Sequence, residues 1–173
     1  MKRRLFIGFA ILVGVVVTAM LVAASIWPVI NDVRTGQTPE YPHIQPHYYT
    51  AKPRRIYDQA KGAVEKMARW KLKEADPAQM NLHATHRTAV FGFVDDVWVS
   101  IEPVTEFVTR VNVHSKSRIG KGDFGQNARN IRQFLAELDR RLGAVKFDPN
   151  KLRAGAGDKK GAPSKSDAGQ THR

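Results

Sequence analysis

Seven side chains carry the chemistry that this sequence could deploy: Asp96, Trp98, Arg110, His114, Arg118, Asp123 and Asn127. Asp96, Arg118, Asp123 and Asn127 would suit a small enzyme if they converged in one buried pocket, where neighbouring charges move pKa values toward a working range. Trp98 could stack with Arg110 or hold an apolar ligand. His83 and His114 fall on one predicted face and could share a metal, although nothing in their spacing fixes a separation. The chain has no Cys, which excludes thiolate catalysis, zinc–Cys sites and disulfides. Gly120-Lys121-Gly122-Asp123-Phe124-Gly125 follows a strand and opens a helix, as a dinucleotide fingerprint does. The parallel strand such a fingerprint requires next is absent from the pattern, and an Asp123 carboxylate at the helix start would occupy the donors an anion needs. No catalytic residue, metal ligand or cofactor is assigned.

Those residues need a scaffold, and periodicity supplies one. Pro53 suits a first helical turn, and Ile56, Ala60, Ala63, Val64 and Met67 recur at helical spacing. Trp70–Lys73 changes to alternation, and Asp76-Pro77 makes a turn. Met80, Leu82 and Ala84 alternate with polar residues in a second strand, Val97, Val99 and Ile101 in a third, and Phe107, Thr109, Val111 and Val113 in a fourth. Asp95 and Asp96, being adjacent in a strand, point to opposite faces. Asp123 and Gln126 have capping-box spacing ahead of the stripe Ala128, Ile131, Phe134 or Leu135, Leu138 and Leu142, which Gly143 ends. The expected fold is α+β: a four-stranded antiparallel meander in the order α-β-β-β-β-α, both helices on one face and the polar face wet.

Ahead of this domain, Leu5–Trp27 carries no charge, and Lys2, Arg3 and Arg4 precede it. Twenty-three helical residues would rise ~34 Å against a hydrocarbon core of ~30 Å. The expectation is one transmembrane helix in the inner membrane, with a cytoplasmic N-terminus and the domain on the far side. A signal peptide cut near Val22-Ala23-Ala24 is the competing reading. Residues 1–30 would thus be an anchor, 31–52 a Pro-rich spacer, 53–147 the α+β domain and 148–173 a basic disordered tail. The net charge is +12, of which residues 151–173 hold six basic and two acidic side chains. Partners compatible with this are the lipid bilayer, an anionic lipid or an envelope protein. Nucleic acid is disfavoured, because the basic residues are scattered and the chain is expected to be exported.

Several blocks together are distinctive: Pro53-Arg54-Arg55-Ile56-Tyr57, Ala75-Asp76-Pro77, Phe91-Gly92-Phe93-Val94-Asp95-Asp96-Val97, and Ser115-Lys116-Ser117-Arg118 running to Asn127. In this order, over about residues 50–143, they resemble a bacterial and plant family catalogued as domain of unknown function 1499. Members often carry Gly where this chain has Arg69. The resemblance implies a small exported or membrane-associated domain and lends no catalytic residues. The functional expectation is a non-catalytic, membrane-anchored envelope domain that binds a protein, lipid or small ligand through Trp98, Arg110 and His114 and the Arg118–Asn127 corner. A small enzyme and an accessory subunit of a membrane complex are the alternatives.

Overall fold

Alternation of apolar and polar residues at period two builds a sheet with one oily face. In the computed structural model, which describes residues 2–26 and 28–149, that sheet is larger than expected. The elements are α1 (Lys2–Ile26), β1 (Asp32–Arg34), β2 (His47–Tyr49), α2 (Pro53–Lys66), β3 (Trp70–Asp76), β4 (Asn81–Arg87), β5 (Val94–Pro103), β6 (Thr109–Ser117), α3 (Gln126–Leu142), a 3₁₀ turn (Gly143–Val145) and β7 (Lys146–Phe147). Among the described residues the sheet has seven strands, all paired antiparallel, in the order β3-β4-β5-β6-β2-β7, with β1 also on β6. The expected four-stranded sheet is therefore corrected.

The three additional strands are short, and two of them lie in the supposed spacer. β1 and β2 pair with successive halves of β6, Val33 opposite Ser115 and Tyr48 opposite Arg110. Val33, Tyr41, Ile44 and Tyr49 from this segment are all buried in the core. A three-residue strand is too short to show a period, and its prolines fall outside the paired residues, so nothing local announces it.

The second correction concerns the N-terminus. Among the described residues no helix is long and apolar enough to cross a membrane. The transmembrane helix, and the single-pass inner-membrane location built on it, do not stand. The cleavage-site reading at Ala23-Ala24 and the basic tail at 151–173 lie outside the described side chains.

α2 and α3 cover the oily face. Ile56, Ala60, Ala63 and Val64 of α2 and Ile131, Phe134, Leu135 and Leu138 of α3 pack on Leu82, Ala84, Val97, Val99, Val111 and Val113. The ring of Phe134 stacks on Trp70, centroids 6.1 Å apart. At the far edge Asp139 of α3 accepts hydrogen bonds from the Tyr49 hydroxyl (2.7 Å) and Lys146 (2.6 Å) and contacts His47 Nδ1 (3.0 Å), which clamps β2 and β7 to the helix. Burial alone would raise the Asp139 carboxyl, but the bonds from His47, Lys146 and Tyr49 outweigh it and hold its pKa at about 2.

Between α2 and β3, Arg69 has φ 67, in the left-handed region that costs a residue with a Cβ roughly 1–2 kcal/mol. A Gly at this position would be free of that cost. Arg69→Gly is expected to leave the fold intact and raise stability by up to about 1 kcal/mol, read from urea unfolding. Asp139 has a folded pKa of about 2 against ~3.9 when unfolded. Its stabilising effect is complete above about pH 5 and is lost as pH falls through 4 toward 2. In urea titrations over that window, Asp139→Asn should flatten the acid-side loss of stability by on the order of 1–2 kcal/mol.

Candidate functional site

The open face of the sheet is polar in every cross-strand row, because each outward position is the alternate partner of a core residue. The central row runs Glu74, His83, Trp98, His114 and Arg34 across β3, β4, β5, β6 and β1. Trp98 is wedged between two imidazoles, His83 at 5.1 Å and 7° and His114 at 4.7 Å and 24°. Both flat faces of the indole are thus covered, and its edge accounts for the 38% exposure. Each imidazole is held by a carboxylate: His83 Nε2 lies 2.8 Å from Asp96 Oδ1, and His114 Nε2 lies 2.7 Å from Asp32 Oδ1.

The rows on either side complete the surface. Arg118 donates two hydrogen bonds to Asp96, 2.6 and 2.8 Å, and with His83 keeps that carboxyl below its usual range against the effect of burial. Arg110 donates to Glu102 (2.6 Å), which also accepts from Ser100 and Asn112. Burial pushes the His114 imidazole down, and Asp32 only partly opposes it. A cleft of about 770 Å³ lies over this face, floored by His83, Trp98, Asn112 and His114 and walled by Glu74 and Asp76 on one side and Arg34 on the other.

The seven expected residues separate into three places. Trp98, Arg110 and His114 line the cleft. Asp96 and Arg118 form an ion pair in the neighbouring row. Asp123 and Asn127 lie at the start of α3, where Asp123 accepts from the backbone N–H groups of Gly125 (2.8 Å) and Asn127 (2.6 Å). The helix begins at Gln126 behind a left-handed Gly125, so the capping box gives way to a carboxylate two residues before the cap. Gln126 turns instead to Asn130. Asp96 and Arg118 thus belong to one hydrogen-bonded set, and Asp123 and Asn127 to others at the start of α3. The indole between His83 and His114 keeps them from sharing an ion. Among the described residues no group of three or more His, Cys, Asp or Glu is placed for a metal.

A second polar cluster, which the periodicity did not single out, is buried under the sheet. Asp95 is 1% exposed and accepts from Ser117 (2.6 Å) and Asn130 (2.9 Å), with His86 Nδ1 3.5 Å away. Asn127 accepts from Ser115 (2.6 Å) and donates to Ser117 (2.9 Å) and to the Asn31 carbonyl (3.0 Å). Burial opposes ionisation of Asp95, but the nearby His86 imidazole and the hydrogen bonds from Ser117 and Asn130 win and lower its pKa. The signal was present: Ser115 and Ser117 continue the inward positions of Val111 and Val113, and Asn127 and Asn130 sit three apart on the inward face of α3. Polar residues at core positions imply a satisfied network. Removing one member strands the others, so Asn127→Ala should cost about 2–4 kcal/mol in chemical denaturation, more than a surface amide loses.

No curated protein matches the chain. Among solved structures it is similar to the di-domain ARO/CYC StfQ from the steffimycin biosynthetic pathway (TM-score 0.45, 10% identity, 56% of this chain and 43% of that one). It is also similar to a protein of Chromobacterium violaceum (TM-score 0.36, 12% identity, 68% and 99%) and one of Thermus thermophilus (0.34, 15%, 65% and 97%). The chain thus spans less than half the length of the di-domain protein. Residues 24–138 match the family described as protein of unknown function (DUF1499), and that span, with the Asp95–Asn127 network inside it, makes this chain a member of that family.

Proposed function

We propose that the domain is a binding module and that the cleft over Trp98 takes a small polar ligand. The observation that supports this is the construction of the floor: an indole fixed between two imidazoles, each tied to a carboxylate, under about 770 Å³ of open space. Such a floor is rigid before anything binds, so a ligand is spared the ordering cost of loose side chains. The indole presents an edge rather than a face, which does not suit flat stacking of an aromatic ring.

The walls narrow the chemistry further. Glu74 and Asp76 oppose Arg34, Arg110 is neutralised by Glu102, and Gln37, Gln45, Asn81 and Asn112 offer amides. A net anion or cation would meet one wrong wall, whereas a neutral or zwitterionic molecule with several hydrogen-bonding groups would satisfy both. The carboxylates around the imidazoles serve to orient them.

Thermal unfolding against a panel of amino acids, polyols and small sugars tests the reading. A true ligand at about 100 times its Kd stabilises by ~2.7 kcal/mol, a shift of several degrees in Tm. Trp98→Ala, which collapses the stack, should abolish the shift, and Asn112→Ala should weaken it. If no compound in the panel stabilises the native chain more than Trp98→Ala, the cleft is not a binding site.

A further inference from the structure

One end of the sheet collects apolar side chains that the fold leaves outside. The β4–β5 hairpin, the β6–α3 loop and the segment before β1 all meet there, since Arg87 pairs with Val94, Asp95 with Ser117 and Asp32 with Lys116. The three segments are tied together: Arg118 N–H donates to the Val94 carbonyl (3.2 Å), Asp123 N–H to the Ile30 carbonyl (3.2 Å), and the Asn31 amide to the Gly120 carbonyl. On this frame Val29, Val90, Phe91, Phe93, Ile119 and Phe124 are exposed, Phe91 to 72%. Phe91 and Phe93 stack on each other at 5.5 Å, and Arg87 braces the hairpin through the Gly92 carbonyl.

The surrounding charge has one sign. Arg87, Lys121 and Arg129 stand around the tips; the nearby carboxylates are paired, Asp96 by Arg118, Asp32 by His114 and Lys116, Asp95 inside the core and Asp123 by the start of α3. The opposite end of the sheet also exposes Val104 and Phe107, but its loop carries Glu106 and no basic residue. Apolar tips within a basic rim complement a surface that is oily inside and anionic outside.

We propose that this end of the domain docks on an anionic phospholipid surface. Phe91, Phe93, Ile119 and Phe124 enter the interfacial layer, and Arg87, Lys121 and Arg129 lie at headgroup level, where each cation favours contact and salt weakens it. The surface is separate from the Trp98 cleft, so either assignment can fail without the other.

The chain has no Cys, so Val90→Cys in the full chain gives a single site for an environment-sensitive fluorophore, and Glu106→Cys gives the control at the far end. With vesicles containing phosphatidylglycerol, the label at 90 should brighten about threefold and shift to the blue, and the label at 106 should not change. Lys121→Ala in the Val90→Cys background should raise the lipid concentration needed about fivefold, and added salt should act in the same direction. Equal changes at both positions, an equal response to pure phosphatidylcholine, or a label at 90 that stays in water while the chain sediments with vesicles would each overturn the proposal. The last outcome would leave the patch to a protein partner.

Discussion

A carboxylate shut away from water must be surrounded by donors, and Asp95 sets that requirement at the centre of this domain. Its oxygens are met by Ser117 from β6 and Asn130 from α3, with His86 of β4 alongside. Asn127 extends the set to Ser115, Ser117 and the Asn31 carbonyl just before β1. Apolar packing alone would let α3 slide along the sheet at small cost. The polar contacts allow one position, so the helix, three strands and the entry of the chain are located together.

Placing α3 also divides the two sides of the sheet. Below, apolar side chains from α2 and α3 fill the space at the end away from Asp95. Above, no helix among the described residues covers the sheet, and the alternate positions of the same strands form charged and aromatic rows. Trp98 follows Val97 in β5, so the register that buries Val97 at 0% exposure sends the indole to the open side. His83 and His114 reach it because β4 and β6 pair with β5 in that register. A one-residue slip would bring the polar rows inward, so the core and the cleft floor are specified by the same pairing.

Much of this was legible along the chain. The helices at 53–66 and 126–142, the four long strands, and the opposite orientation of Asp95 and Asp96 follow from periodicity, because a long strand or helix repeats its pattern enough times to be seen. The family blocks include Asp95, Ser115, Ser117 and Asn127 of the buried network but neither His86 nor Asn130, and do not say what any of them does. β1, β2 and β7 were not legible: two or three residues carry no period, and their hydrogen-bond partners are in β6 and, for β7, β2, far away in sequence. Arg69 is an intermediate case, since periodicity places a helix-to-strand turn there and only the structure shows its φ of 67.

By itself the sequence determined composition, the absence of thiol chemistry, the period of each long element and the face to which each residue points, because these depend on neighbours a few positions apart. Tertiary structure alone decided that Asp96 belongs with both His83 and Arg118, that an indole separates two histidines, and that six apolar residues from three distant segments share one end. Those are contacts between residues 13 to about 90 positions apart. Pair distance over such spans is set by how strands order and register, and local chemistry does not encode it.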